Sequence, residues 1–475
     1  MTGLARVRSR CSRRAALQGL GGGAAAAAGA ALARFPAAAQ QASPAASPAA
    51  ATAPAAPELV SVPQVFNYGD FEFQFLIALG DAYERATDVG ECFATAAAIK
   101  DFDYDSWVAA WRATADRLHA IAVQSDAKGH RVSAREAYVR AASYYAQAAF
   151  FVVASSDPSQ LLPTWEAHRA AADAFFARLD PPAEQVTIPY EGTTLPGYAL
   201  TVDTSGRPRP WMIMNNGSDG TVVDMWVEGA AAALRRGYNA LIFDGPGQGA
   251  ALYRQHLYFR PDWEKVVTPV VDWLLTRPDV DPNRIAIMGI SQGGYWVPRA
   301  VAFEHRIAAA IFDPGVYNVE TSFTRGIPPQ ALQALTTLKG PALDQVKQEL
   351  DQGAAQEAKT SPELRFTLAF RLPPYGTTSL ADVLIKLQAY NLNGVIDKIQ
   401  CPSLIADPQG EQFWPGQSVQ VYNALKSPKK LVHFTAAEGA DLHVEPKANG
   451  LRAQVYYDWL DETLNVNGPI GTPTV

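Results

Sequence analysis

Downstream of Val186 the sequence alternates between two patterns, and this alternation constrains the fold more than any other feature. Short apolar runs that favour β-strands are separated by amphipathic stretches that favour helices. The runs span residues 186–190, 197–202, 211–215, 240–244, 284–288, 308–312, 403–406 and 431–434. Such alternation is typical of a mostly parallel sheet with helices on both faces. We therefore predict an α/β fold built on eight strands.

The preceding region, residues 58–182, is predicted to be an all-helical domain. Trp107, Trp111 and Leu118 recur at helical spacing, and few β-like runs surround them. The pattern favours roughly four or five helices, and the two prolines after Asp180 end it. We interpret the aromatic stripes as packing surfaces between helices.

A second helical segment, at about 317–397, interrupts the α/β domain of residues 183–464 between its sixth and seventh strands. It contains several helical patterns and no convincing strand. We interpret it as a helical cap inserted over the active site, and residues 465–475 as a tail. A cap of this kind encloses a small-molecule substrate, and four of its aromatic residues are candidates for the pocket lining: Phe323, Phe366, Phe370 and Tyr390.

Residues 1–40 have the pattern of an export signal. Arg13 and Arg14 form a twin-arginine pair, and the Ala/Gly-rich run after them is too weakly apolar for a membrane span. Residues 41–57 are rich in alanine, proline and serine and are predicted to be a linker. We expect export by a twin-arginine-type route to the periplasm or the exterior, with no stable membrane insertion after signal removal. A basic tail without a targeting role is the alternative.

Composition argues against several other classes. A formal charge of −7 and an isoelectric point near 5.6 do not favour nucleic-acid binding. We expect Cys92 and Cys401 to be small buried residues without a disulfide between them. The sequence shows no metal-binding or nucleotide-binding motif, so neither a metal nor an organic cofactor is predicted.

The segment Gly289–Gly293 reads Gly-Ile-Ser-Gln-Gly and joins an apolar β-like run to a helical one. A Gly-x-Ser-x-Gly in that position is typical of a nucleophile elbow, where a sharp strand-to-helix turn exposes the serine. Together with eight strands, it favours an α/β-hydrolase fold with Ser291 as the nucleophile.

A serine nucleophile needs a base, which in this fold follows it in the chain. Seven histidines are present. Those that precede Ser291 are excluded: His119, His130, His168 and His256. His305 lies fourteen positions beyond Ser291, which is about 21 Å along one continuous helix. Of the remaining two, His433 lies in the last apolar run and His443 in the loop after it. Because such loops assemble active sites, we favour His443.

The acid that orients the base is expected after the seventh strand. Asp407 and Glu411 are both available there. Asp407 stands at the strand end and precedes a proline, a position in which aspartate often stabilises a turn. Glu411 lies farther into the loop. The residues themselves do not decide whether Asp407 or Glu411 is the acid.

An oxyanion hole needs two N–H donors aimed at the developing negative charge. One is expected from Gln292, directly after the nucleophile, and the other from the glycine-rich loop after the third strand. We assign the second donor to Ser218, with Asp219 as the alternative.

Three motifs together resemble those of α/β-hydrolases that carry an N-terminal helical domain. They are Asp244–Gly249 (DGPGQG), Gly289–Gly294 (GISQGG) and Glu438-Gly439-Ala440 shortly before His443. That group includes the 2,6-dihydroxypseudooxynicotine hydrolases, the fungal heptaketide hydrolases and bacterial esterases. The resemblance implies Ser291 as nucleophile, His443 as base and Glu411 rather than Asp407 as acid.

We therefore predict an exported serine hydrolase, an esterase acting on a small to medium, partly apolar substrate. Two alternatives use the same triad: hydrolysis of a carbon–carbon bond beside a ketone, and exopeptidase activity. A third is a non-catalytic binding protein on a hydrolase fold, since a fold does not by itself establish a function.

Overall fold

The structure is a computed structural model that describes residues 64–466. The predicted export signal (1–40) and linker (41–57) lie outside these residues. So do the first six residues of the predicted helical domain and all but two residues of the predicted tail.

Five α-helices precede the sheet in the described chain: α1 (Gly69–Gly80), α2 (Val89–Ala96), α3 (Tyr104–Ala127), α4 (Arg131–Val152) and α5 (Leu161–Phe176). Asp88 caps α2 by accepting hydrogen bonds from two N–H groups of its first turn. The two longest helices, α3 and α4, pack through buried aromatic residues, and Trp111 stacks on Tyr144 with ring centroids 5.4 Å apart. The predicted N-terminal helical region is confirmed, and its aromatic stripes pack between helices.

The eight strands are β1 (Glu184–Tyr190), β2 (Thr193–Leu200), β3 (Arg209–Asn215), β4 (Asn239–Phe243), β5 (Val280–Ile290), β6 (Ala309–Asp313), β7 (Ser403–Pro408) and β8 (Lys429–Phe434). They form one sheet in the order β1-β2-β4-β3-β5-β6-β7-β8. β2 is antiparallel to both its neighbours, and the other neighbouring pairs are parallel. The predicted mostly parallel sheet is confirmed.

The helices after β3 are α6 (Val222–Met225, continued by a π-helical turn at Trp226–Ala230 and by Ala231–Arg235), α7 (Gly249–Tyr253), α8 (Glu264–Leu275), α9 (Gly293–Val301), α10 (Pro329–Thr337), α11 (Gly340–Glu357), α12 (Pro362–Arg371), α13 (Leu380–Leu387), α14 (Gln417–Ala424) and α15 (Asn449–Leu464). Helices α10 to α13 belong to the segment between β6 and β7, residues 314–402, which we call the insertion.

Side chains of the central strands alternate between two cores. In β3, Met212 and Met214 pack with α6, α15 and the helical region, whereas Trp211 and Ile213 pack with α8, α9 and the insertion. This alternation follows from the two-residue period of a strand, and it explains why central strands read as continuous apolar runs. The central strands of the sheet are therefore buried on both faces.

Cys92 and Cys401 are not joined to each other. Cys92 is buried as predicted, but Cys401 is only partly buried, because it lies in the connection that enters β7 at the edge of the core. Among residues 64–466, we find no helix with the length and apolar character that a bilayer span requires.

Candidate active site

Ser291 lies at the tight turn between β5 and α9. Its φ of 56° is in the left-handed region, and its N–H donates to the carbonyl of Asp313 at the end of β6 (2.6 Å). A Cβ on Gly289 would lie 2.2 Å from the carbonyl oxygen of Gly293, so the turn has no room for a side chain there. The Gly-x-Ser-x-Gly segment therefore forms the sharp strand-to-helix turn that its sequence predicts.

Three side chains from separate loops meet at this turn. Ser291 Oγ lies 2.9 Å from His443 Nε2, and His443 Nδ1 lies 2.7 Å from Glu411 Oε2. The side chains of His443 and Glu411 are each only 4% exposed. In this arrangement the carboxylate accepts the Nδ1 proton, which leaves Nε2 free to accept the serine proton.

The second oxygen of Glu411 is held by the backbone. Glu411 Oε1 accepts hydrogen bonds from the N–H groups of Phe413 (2.8 Å) and Trp414 (3.0 Å). Burial raises the pKa of Glu411, but the charge and hydrogen bond of His443 and the two backbone donors outweigh it, so this pKa lies below its usual value. Glu411 is therefore a carboxylate at neutral pH.

Asp407, the alternative acid, lies in a different place. Strand β7 continues through Asp407, which is the register partner of His433 in β8. Asp407 Oδ2 lies 2.6 Å from His433 Nδ1, and the His433 side chain is 66% exposed. Because the strand is longer than predicted, Asp407 is bound into the sheet beside His433, and the structure brings Glu411 rather than Asp407 to His443.

The loop after β3 lies beside the nucleophile. A Cβ on Gly217 would approach Ser291 Cβ to 2.7 Å. Gly217 N–H donates to the Asn216 side chain (2.7 Å), whereas the N–H groups of Ser218 and Gln292 donate to no acceptor in the described chain. These two amides are therefore free to receive a ligand oxygen. The same is true of the amide of the alternative donor, Asp219.

Known proteins are similar in sequence to this chain along most of its length. Identity with Hydrolase LUC6 of Fusarium sp. is 32% over 421 residues, covering 85% of this chain and 98% of that protein. Identity with 20-hydroxy-prefusarin hydrolase FUS2 of Gibberella moniliformis is 32% over 420 residues, with the same coverage of 85% and 98%. The chain belongs to the α/β-hydrolase family. Membership of this family makes the protein a hydrolase, as the resemblance of its motifs predicts.

Two further comparisons agree with the fold of this α/β-hydrolase. The model of the prolyl oligopeptidase family matches residues 230–345, a stretch that contains Ser291. The crystal structure of the 2,6-dihydroxy-pseudo-oxynicotine hydrolase superposes with a TM-score of 0.61 at 21% identity, covering 83% of this chain and 98% of that one. The structure of AbyA5 superposes with a TM-score of 0.51 at 16% identity. At these identities the solved structures establish the fold alone.

Ser291 and His443 of this α/β-hydrolase line a cavity of about 330 Å³. The helical region, the sheet loops and the insertion all contribute to its wall. Eleven aromatic residues contribute to the lining: Phe73, Phe150, Trp165, Tyr253, Phe259, Phe323, Phe366, Phe370, Tyr375, Phe413 and Trp414. A concave, largely apolar cavity with many aromatic side chains is typical of a site for a small molecule.

Three of the four predicted lining residues face this cavity, namely Phe323, Phe366 and Phe370. Tyr390 does not line it. Its ring packs on those of Tyr295 and Tyr375, with centroids 5.7 Å away in both cases, because it follows α13 where the insertion returns to the sheet.

Side chains of the insertion also hold the active-site loops. Arg371, at the end of α12, donates to Ser218 Oγ (3.1 Å) and to Asp219 Oδ2 (2.6 Å). Tyr375 OH donates to Gln292 Oε1 (3.1 Å). Both segments expected to form the oxyanion hole are therefore tied to the insertion.

The acid loop has a similar support, because Arg325 of the insertion donates to the carbonyls of Gln412 and Phe413. Sequence reasoning missed Arg325, Arg371 and Tyr375. No local motif marks them, since each acts through a partner at least 80 residues away in the chain.

A buried charged group lies behind the histidine. Arg452 donates to the carbonyl of Val444, the residue after His443. Asp313 and Glu445 are completely buried nearby. Burial raises the pKa of both carboxyls; their mutual repulsion adds to this effect at Glu445, and the Arg452 charge opposes it. Arg452 therefore holds the histidine loop through the carbonyl of Val444.

No group of three or more His, Cys, Asp or Glu side chains within residues 64–466 is arranged to hold a metal ion.

Proposed function

We propose that this α/β-hydrolase is a serine esterase that cleaves an ester or a related acyl bond of a small to medium, partly apolar molecule. The observation that carries the proposal is the hydrogen-bonded series from Ser291 Oγ through His443 to Glu411. A serine hydroxyl becomes an effective nucleophile when a positioned base takes its proton.

The geometry supports a two-step acyl transfer. Ser291 Oγ bonds to the substrate carbonyl carbon as its proton passes to His443 Nε2, and the carbonyl electron pair moves to oxygen. The Ser218 and Gln292 amides donate to that oxyanion. Collapse expels the alcohol, which takes the proton from Nε2. A water molecule then repeats the sequence on the acyl-enzyme, releasing the acid and restoring Ser291.

Reaction with a fluorophosphonate probe tests the nucleophile without knowledge of the substrate. We expect the wild type to be labelled and Ser291→Ala to be inert. Ser159→Ala, which removes an exposed serine of the helical region, is the matched control and should label normally. A wild type that does not react would support a non-catalytic protein.

A substrate panel tests the bond type. Aryl esters, β-diketones and aminoacyl amides represent the esterase, the carbon–carbon hydrolase and the exopeptidase that one triad can serve. We expect the aryl esters to have the highest kcat/KM. Turnover of the diketones or the amides alone would refute the esterase assignment while leaving the nucleophile in place.

We also propose that the full chain is exported by a twin-arginine-type signal, because Arg13 and Arg14 precede a weakly apolar run. Cell fractionation of a double Arg13→Lys, Arg14→Lys variant should show retention in the cytoplasm. Arg8→Lys, Arg10→Lys is the matched control with the same change in composition. Equal export of both variants would contradict this route.

A further inference from the structure

The motif Asp244–Gly249 (DGPGQG), which follows β4, contains a buried glutamine whose amide is hydrogen-bonded on both sides. Gln248 Oε1 accepts from the N–H of Gly245 (2.8 Å). Gln248 Nε2 donates to the carbonyls of Asn216 (2.9 Å) and Gly217 (2.8 Å). A reversed amide would place its oxygen against two carbonyl oxygens, so these contacts determine its orientation. Gln248 therefore joins the loop after β4 to the loop after β3.

The Gly217 carbonyl belongs to the same peptide unit as the proposed oxyanion donor, the N–H of Ser218. A peptide unit is planar, and in its trans form the C=O and the N–H point in opposite directions. The two cis bonds among residues 64–466 lie elsewhere, before Pro181 and Pro314. The hydrogen bond from Gln248 to the Gly217 carbonyl therefore fixes the direction of the Ser218 N–H.

The preceding peptide unit is held at both ends. The Asn216 carbonyl accepts from Gln248, and the Gly217 N–H of the same unit donates to Asn216 Oδ1 (2.7 Å). A Cβ on Gly217 would lie 2.7 Å from Ser291 Cβ, so this segment packs directly on the nucleophile turn. A small rotation of either peptide would therefore change where the Ser218 N–H points relative to Ser291.

The turn that supplies Gln248 is itself anchored. Asp244 Oδ2 accepts from the buried guanidinium of Arg169 in α5 (2.6 Å) and from the N–H of Ala250 in α7 (3.0 Å). The Gln248 N–H donates to the Gly245 carbonyl (2.9 Å), which closes the turn. The glutamine therefore projects from a backbone that is fixed to the helical region.

We propose that Gln248 is a positioning residue for the reaction: by holding the Gly217 carbonyl, it aims the Ser218 N–H at the oxyanion that forms on the substrate. Donation to that carbonyl also polarises the peptide, which makes its N–H a stronger donor. Both protons of the Gln248 amide are engaged by backbone carbonyls, so Gln248 acts through Ser218. The role of Ser218 as a donor rests on the proposed function.

A trifluoromethyl ketone, trifluoromethyl hexyl ketone, reports on the oxyanion itself. Ser291 Oγ adds to its carbonyl carbon, the serine proton passes to His443 Nε2, and the carbonyl electron pair becomes the oxyanion of a hemiketal. Fluorine NMR over a pH series measures the pKa of that oxygen. Gln248→Met keeps the side-chain length but cannot donate. We expect it to raise this pKa by about 1 to 2, and to lower kcat for the best ester by about 10- to 100-fold with KM unchanged.

Gln417→Met is the matched control, because Gln417 is also buried and fully hydrogen-bonded. Its Oε1 accepts from the N–H groups of Tyr317 (2.7 Å) and Asn318 (2.8 Å). Its Nε2 donates to the Asn318 carbonyl (3.0 Å) and to Thr321 Oγ1 (2.7 Å). These contacts hold the start of the insertion, so we expect a lower thermal midpoint with the hemiketal pKa of the wild type. An equal rise of that pKa in Gln417→Met and Gln248→Met would show a general loss of structure and overturn the positioning role.

Isotope labelling tests the same peptide in the wild type. Gly217-Ser218 is the single Gly-Ser pair of the chain, so ¹³C-carbonyl glycine combined with ¹⁵N-serine labels this peptide alone. When the ketone adduct forms, the Ser218 amide proton should move downfield, because it then donates to an anion. An adduct that leaves this proton unmoved would overturn the inference. If Gln248→Met does not fold, Gln248→Glu, which keeps the acceptor for Gly245, should show the same rise in hemiketal pKa.

The esterase proposal fails in a different way. If the ketone forms no adduct and the fluorophosphonate does not label Ser291, the serine hydrolase assignment falls and the positioning role falls with it. If the adduct forms with the same hemiketal pKa in the wild type and in Gln248→Met, the nucleophile stands and the role of Gln248 is refuted.

Discussion

Replacing Glu411 by glutamine should lower turnover far more than the small change in side-chain shape implies. Glu411 Oε1 accepts two backbone N–H groups, so a glutamine must place its oxygen there and turn its NH₂ toward His443 Nδ1. His443 would then accept at Nδ1 and carry its proton on Nε2. That tautomer cannot accept the proton of Ser291.

The expected loss of turnover follows from this change in the tautomer of His443. Removing the correct tautomer in a comparable serine triad lowers kcat by about 10⁴-fold, which corresponds to about 5.5 kcal/mol of activation free energy. We expect Glu411→Gln to lose about 10³- to 10⁴-fold in turnover with little change in KM, because the side chain does not line the cavity.

The matched control is Asp407→Asn, in which a carboxyl near the end of strand β7 that contacts an exposed histidine becomes an amide. Its turnover should stay within about threefold of the wild type. The assay is steady-state hydrolysis of the best ester in the panel, together with the rate of fluorophosphonate labelling. Activity retained in Glu411→Gln, or a comparable loss in Asp407→Asn, would refute the tautomer argument.

Three other variants probe the surroundings of the site. Arg371→Ala should lower kcat by about tenfold by loosening the loop that bears an oxyanion donor, whereas Arg371→Lys should retain most of the wild-type kcat. Equal kcat in the wild type and both variants would contradict a supporting role for Arg371. Gly217→Ala places a Cβ 2.7 Å from Ser291 Cβ and 2.9 Å from the carbonyl oxygen of Ile290, so its labelling rate should fall about a hundredfold. Its thermal midpoint should fall as well, because the backbone must shift to relieve the overlap. In Glu445→Gln the thermal midpoint relative to wild type should be higher at pH 8 than at pH 5. The pKa of Glu445 is raised in the folded state, so the wild type loses stability as pH rises above the unfolded-state pKa. A difference in thermal midpoint that does not depend on pH would contradict the raised pKa of Glu445.

The strands were predictable because their signal is local. Each predicted run overlaps an observed strand. A central strand is buried on both faces and shows as a continuous apolar stretch of a few residues, whereas the edge strand β1 alternates buried and exposed residues. The turn at Ser291 was equally readable: Gly289 and Gly293 meet within a single turn, so the steric reason for the glycines lies within five residues.

The choice of acid depended on strand length and register. Asp407 and Glu411 are four residues apart in the chain, and the local sequence did not decide between them. The pairing of β7 with β8 through Asp407 and His433 leaves Glu411 as the carboxylate that reaches His443. Strand ends are set by the neighbouring strand, which the sequence of one strand does not contain.

By itself, then, the sequence determined the sheet, the helical region and the nucleophile turn, because periodicity and steric demands act over a few residues. The tertiary structure alone decided which groups surround that turn. Arg371 and Phe73 reach the site from parts of the chain at least 80 residues from Ser291. Only the packing of the helical region and the insertion onto the sheet brings them there, since contacts between distant segments leave no local pattern.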